Sequence, residues 1–269
     1  MVRIDGRWRE TLAAAVLLAA ATVLLATAPV YAEEDGWTGG VGASLTAQTG
    51  TTDSFVGSID ASGERSWAKD EVGLRFNATF GQTRKIGDDG GDKVTQNSQA
   101  LLGNWKRTIH DRFFWGSNSE LSRDSVQNRE VRVALSTGPG FRLWTGEAES
   151  KQYFDVSGGL GYRYELYNVT SGRPDRDNYD PDNFADIVGN FEYKNMLLED
   201  SIEFTHIGSV KMPANDVEAF LISTEVIFGV PLTATWSLRA SFLAEYQNTV
   251  PDKTNQMTTR TNLGLSYKF

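Results

Sequence analysis

The chain has no cysteine. That removes a disulfide framework, and it removes the thiol that would carry a lipid anchor behind a leader peptide. Only two histidines are present, which leaves little material for imidazole catalysis. Beyond the first 32 residues, no stretch is long and apolar enough to be a transmembrane helix. Positive charge is also scarce. The formal net charge is −9, the wrong sign for a nucleic-acid partner. Mean hydropathy is −0.36, a value ordinarily read as soluble. Transmembrane strands escape that test, because only every second residue meets lipid.

The N-terminus is different in kind. Arg3, Arg7 and Arg9 form a basic segment, diluted by Asp5 and Glu10. An Ala/Leu/Val run follows over 11–28, then Val30, Tyr31 and Ala32 in a small-x-small pattern. This reads as a secretory signal peptide over 1–32, cleaved after Ala32 and excluded from fold reasoning. The expected mature domain is 33–269.

Along that domain, apolar and polar residues alternate. Phe154, Val156, Gly158, Leu160, Tyr162, Tyr164 and Leu166 would share one strand face, opposed by Asp155, Ser157, Gly159, Gly161, Arg163 and Glu165. Val72, Leu74, Phe76 and Phe80 are opposed by Gly73, Arg75, Asn77 and Thr79. A period of two fits these runs and a helical period does not. Such runs fall near 37–49, 54–67, 70–84, 94–107, 112–123, 130–145, 151–167, 184–195, 197–209, 217–229, 233–247 and 257–269. Short connections are expected at Ala68–Lys69, His110–Asp111, Gly146–Glu147 and near Asn195–Met196, alternating with longer polar ones. Alternating loop lengths on an even strand number describe an outer-membrane barrel.

The tryptophans fit the same map. Trp37, Trp67, Trp105, Trp115, Trp144 and Trp236 all fall near strand ends that meet a short connection or a terminus, as do Tyr193 and Phe269. One interfacial aromatic girdle, on the periplasmic side, is expected. By parity Trp144 faces inward, and a bulge at Gly138–Gly140 is the expected remedy. Arg65 faces outward near a short connection, where it can snorkel among headgroups. A soluble lipocalin-like barrel would bury the same apolar face inward, and periodicity alone does not separate the two.

The last residues speak for the membrane. Leu263, Leu265, Tyr267 and Phe269 alternate with Asn262, Gly264, Ser266 and Lys268. This resembles the C-terminal signature of outer-membrane barrels, through which Phe269 would engage the barrel assembly machinery. The whole mature chain resembles a bacterial family of salt-induced outer-membrane proteins, a domain of unknown function. The resemblance is carried by Gly36, Trp37, Thr38 and Gly39 with Gly50, and by the strand around Gly159, Leu160, Gly161 and Tyr162. It is carried also by Leu232–Pro251 with Trp236 and Tyr246, and by Leu265–Phe269. Thr51 stands where that family has Asn. The resemblance implies an outer-membrane barrel linked to salt and supplies no reaction and no site residues.

The expected fold class is therefore all-β, an antiparallel transmembrane β-barrel of about twelve strands, within about 10–14. Both termini would be periplasmic. Outer-membrane lipid and lipopolysaccharide are the expected partners, with no nucleic acid and no cofactor.

The inward faces carry unusual charge. Parity places Asp60, Glu64, Glu120, Asp155, Glu165, Asp186, Glu192, Glu199, Glu203, Glu225 and Glu245 in the lumen. Arg75, Arg132, Arg142, Arg163, Lys194, Arg239, Arg260 and Lys268 join them. Enclosed charges persist only if paired or wetted. Either they line a narrow, weakly selective and cation-leaning pore, or they pair across the lumen and close it. An enzyme is the third reading and is not favoured. Barrel lipid hydrolases pair Ser with His at the outer end. His110 falls in a short turn. His206 is placed outward near the outer end of its strand, with Ser209 on the opposite face. No catalytic or metal residue is assigned. Asp175, Asp177, Asp180 and Asp182 make an acidic loop without the glycine and final Glu of an EF-hand, and read as solvated.

Overall fold

The computed structural model describes residues 37–48, 52–85, 93–147, 152–167, 182–249 and 256–268. They form twelve strands: β1 Thr38–Gln48, β2 Thr52–Trp67, β3 Asp70–Lys85, β4 Lys93–His110, β5 Phe113–Asp124 and β6 Arg129–Thr145. β7 Tyr153–Tyr167, β8 Asp182–Leu197, β9 Ile202–Pro213, β10 Leu221–Pro231, β11 Trp236–Gln247 and β12 Met257–Lys268 complete them. Each strand pairs antiparallel with the next. β12 pairs with β1, from Gly40 against Lys268 to Ala43 against Leu265, and closes the barrel. Closure leaves no sheet edge, which a strand structure in lipid requires. The leader over 1–32, Phe269 and most of the acidic loop lie outside the described residues.

Burial settles which face is inside. Leu160 is 71% exposed and Leu263 63% exposed, while Arg132 and Arg163 are 0% exposed and Glu165 is 1% exposed. A barrel with leucines outside and arginines inside reverses the order of a soluble barrel. The outward band of Leu74, Leu101, Leu135, Leu160, Ile187, Phe228, Phe242 and Leu263 is the surface a bilayer covers.

The short connections lie on one rim: Ala68–Lys69, Asp111–Arg112, the segment after Thr145, Leu198–Ser201 and Leu232–Thr235. The first turn of β4–β5 sits one residue later than expected, because His110 still pairs with Phe113. Leu198, Glu199 and Asp200 have φ of 51°, 54° and 66°, a left-handed turn that ends β8. Glu199 therefore belongs to this turn and not to the lumen. β9 starts at Ile202 and β10 at Leu221, later than the alternation suggested. A 3-10 turn over Val217–Ala219 occupies the difference.

All six tryptophans in the described residues sit toward the short-turn rim. Trp144 does so by an outward turn, contrary to its parity. The register shifts between Arg142 and Trp144, so Arg142 pairs with Asp155 and Trp144 pairs with outward Phe154. The extra residue is Leu143, and the ladder change lies there, after Gly138–Gly140. Trp144 then packs on Tyr193, with ring centroids 6.0 Å apart. Arg65 lies over the Trp67 ring at 5.7 Å, on the same rim. Gly140 has a different reason. A Cβ there would lie 2.2 Å from the inward Phe114 ring, so only glycine lets the ring cover the strand.

Candidate functional site

The lumen is the enclosure these strands create, and its chemistry among the described residues is largely ionic. Toward the long-loop end, Arg132 on β6 and Arg163 on β7 form a fully buried network. Arg132 Nε donates to Glu165 Oε1 at 2.6 Å, Nη1 to Glu245 Oε1 at 3.2 Å and Nη2 to Gln247 Oε1 at 2.9 Å. Arg163 Nε donates to Asp186 Oδ2 at 3.0 Å, Nη1 to Glu165 Oε1 at 3.0 Å and Nη2 to the Ala219 carbonyl at 3.1 Å. Tyr167 donates its hydroxyl to Glu165 Oε2 at 2.8 Å. Lys211 on β9 reaches Glu120 on β5 at 3.0 Å. The planar fork of arginine suits such shared carboxylates better than a lysine point charge.

Two connections close over this network. The β5–β6 turn sends the Gln127 amide to the Thr258 hydroxyl on β12, and Arg129 reaches Glu245 at 3.3 Å. The 3-10 turn packs Ala219 inward, with Leu221 just beyond it, each 2% exposed. Side chains from β5, β6, β7, β8, β9, β11 and β12 therefore converge at the long-loop end.

The ion pairs cross the barrel. Arg75 on β3 makes a two-pronged bond to Glu225 on β10, at 2.7 and 2.6 Å. Those strands stand five apart by the shorter way around the ring. Arg132 to Glu245 spans an equal separation, from β6 to β11. Arg239 meets Asp60 at 3.4 Å.

Nearer the short-turn rim, Arg142 Nε and Nη2 donate to the two Asp155 oxygens at 2.7 and 2.9 Å, and Lys106 pairs with the same carboxylate. Lys106 also lies over Phe114 at 4.5 Å. Tyr153 donates to Glu192 at 2.8 Å. Lys194 and Lys268 flank Glu203 at 3.5 and 3.4 Å. Glu64 sits exposed on the rim.

Between the two charged layers the wall of β4–β8 is neutral, while the Arg75–Glu225 pair crosses the lumen beside it. Asn104 and Asn118 face inward by register yet are exposed, so the lumen holds solvent at that level. Asn118, Ser136, Ser157 and Asn190 border a cavity of about 10 Å³. Arg260 faces this interior opposite Leu243.

Several participants carry no charge pattern to mark them: Gln247, Gln127, Tyr153, Tyr167 and Phe114. Lys106 and Lys211 were legible by parity, as Lys106 shares the face of Asn104 and Lys211 that of Ser209. Their partners were not, because partners across a lumen share no sequence neighbourhood.

Among the described residues, neither histidine is hydrogen-bonded to a serine. His206 stands five residues into β9 from the short-turn end, contrary to the outer position expected of it. Its Nε2 is 2.9 Å from the Thr224 hydroxyl, and its ring stacks edge-on to Phe191 at 4.8 Å. Among the described residues, no group of three or more His, Asp or Glu is placed to hold a metal.

With the barrel and its charged interior described, the comparisons place the chain. Residues 41–269 match the family described as "Protein of unknown function, DUF481". The chain belongs to that family. Among curated proteins, none matches the sequence. Solved structures similar to this DUF481 member include the COG4313 outer membrane channel from Pseudomonas putida F1. It is 16% identical, with a TM-score of 0.46 over 90% of this chain and 98% of that one. The translocator domain of autotransporter NalP from Neisseria meningitidis is 10% identical, with a TM-score of 0.45 over 97% and 98%. The NanC porin is 10% identical, with a TM-score of 0.42 over 86% and 96%.

Proposed function

We propose that this protein is a narrow passive channel of the bacterial outer membrane, with its short turns in the periplasm and its long-loop end closed by an ionic plug. The observation that carries the reading is the contrast along the lumen. On the β4–β8 wall, a neutral Asn/Ser patch with exposed Asn104 and Asn118 lies below a network in which Arg132, Arg163 and Glu165 are fully buried. A barrel that needed only rigidity has no use for a wet patch, since empty polar space adds no packing. Conduction then requires the plug to part, and the β5–β6 turn and the 3-10 turn are the described connections that pack on it. The lumen-lining acids and bases set a weak ion preference. A link to salt or osmotic stress rests on the family resemblance.

The second reading is a closed structural barrel, favoured by the wall-to-wall Arg75–Glu225 bond. Planar-bilayer conductance separates them. The refolded protein is compared with the Arg132→Gln/Glu165→Gln variant, which removes the central ion pair of the plug. Rare openings in the parent and frequent steps in the variant support the channel. Silence from both, with the proteins shown to be folded and inserted, transfers the assignment to the structural barrel.

A further inference from the structure

The lipid-facing wall is not uniform. Across β3–β7 it is indented by a groove of about 590 Å³. Val72, Leu74, Leu135 and Leu160 form its sides, and Gly103, Ser117, Ser119 and Thr137 form its floor. Three hydroxyls facing lipid would be costly if left free. None is free. Trp115 Nε1 donates to Thr137 Oγ1 at 2.8 Å, and Thr137 donates to the Gly116 carbonyl at 3.1 Å. Ser117 shares a 2.8 Å bond with Thr137, and Ser119 donates to the Gly103 carbonyl at 3.3 Å. The floor is thus small in volume and satisfied in hydrogen bonding. It asks its occupant for dispersion contacts and no polar atom.

The groove has a direction. Gly103, Trp105 and Arg107 are successive outward positions on β4, about 7 Å apart each. Gly103 lies in the floor, Trp105 at the rim, and Arg107 beyond it at the short-turn end. The Arg107 guanidinium is more than half exposed, and Asp70 approaches it only to 4.0 Å. Trp105 donates instead to Asp70 at 3.0 Å, which engages the carboxylate and leaves the cation open outward. A half-exposed guanidinium at headgroup depth, leading into an apolar groove toward the bilayer centre, has the layout of a phospholipid: phosphate first, chain beyond.

We propose that this groove is a specific phospholipid site, with one acyl chain lying over Gly103 and Ser119 and the phosphate on Arg107. The site is separate from the lumen and independent of whether the barrel conducts. It gives β3–β7 a fixed lipid neighbour while the rest of the wall exchanges lipids freely.

The test is native mass spectrometry of the detergent-released barrel with two probes, a dipalmitoyl phosphatidylethanolamine and the uncharged dipalmitoylglycerol. The parent is expected to keep one phosphatidylethanolamine at an activation that strips all others. Gly103→Leu fills the floor, since a Cβ there meets only the Ser119 hydroxyl within 3 Å, and should lower that retention at least tenfold. Ser119→Leu does the same if Gly103→Leu fails to fold. Arg107→Gln should lower retention of the phospholipid and leave dipalmitoylglycerol unaffected. Ala240→Leu, outward on β11 across the barrel, should change nothing. Equal retention by the parent and both groove-filling variants, or none by the parent, overturns the site. Dipalmitoylglycerol held as tightly as the phospholipid overturns the role of Arg107.

Discussion

Reversing one end of the Arg75–Glu225 bond tests whether the lumen is held by pairs that span it. The two side chains are 22% and 18% exposed, well enclosed yet not dry. At 2.6 Å, with an effective dielectric constant near 20, their attraction is about 6 kcal/mol before desolvation. Breaking a fully buried pair typically costs about 3–5 kcal/mol, because one charge is left uncompensated. Exposed pairs contribute about 0–1 kcal/mol. Partial solvent access places Arg75→Glu between these limits, at about 2–3 kcal/mol of lost stability. The exchange Arg75→Glu/Glu225→Arg restores the attraction with reversed polarity and should recover most of the loss. Urea unfolding of the barrel in lipid vesicles, read as a double-mutant cycle over the single and double reversals, gives the coupling energy. A coupling below about 0.5 kcal/mol would refute the reasoning, because residues five strands apart interact only if the lumen is as narrow as described.

Three further outcomes are expected. Arg132→Ala should cost about 3–5 kcal/mol in the same unfolding assay, since Glu165 and Glu245 lose a shared partner inside the plug, and Arg132→Lys should recover little of it. Leu160→Arg should destabilise the inserted barrel by about 2–4 kcal/mol, whereas a soluble barrel would tolerate an arginine at so exposed a position; no loss in vesicles would contradict the lipid-facing assignment. Gly138→Ala should slow or block folding, measured by the gel-mobility shift of the heat-treated barrel. Its Cβ would lie 2.2 Å from the Gly158 carbonyl oxygen on β7, a backbone contact that no rotamer relieves.

The sequence by itself determined the class and the faces. A period of two gives each strand an apolar and a polar side, and local chemistry reads that period without knowing any partner. The twelve strands, the alternating connections and the girdle of Trp37, Trp67, Trp105, Trp115 and Trp236 follow from it. Trp144 shows its limit. One inserted residue, Leu143, reverses every parity after it, and nothing in the spacing says where the ladder slips. Glu199 failed for the related reason that a left-handed turn ends the strand before the alternation does. His206 was misplaced along β9 because the strand begins five residues later than its apolar pattern does.

Only the tertiary structure decided the rest. Alternation is symmetric under exchange of inside and outside, so burial had to place the arginines within and the leucines against lipid. The partners of Arg75 and Arg132 lie 150 and 113 residues away, on strands that meet only because the barrel closes. Whether charges on an inward face line a passage or cross it depends on the width of the ring and the reach of each side chain. Both are properties of all twelve strands together, and no single segment encodes them.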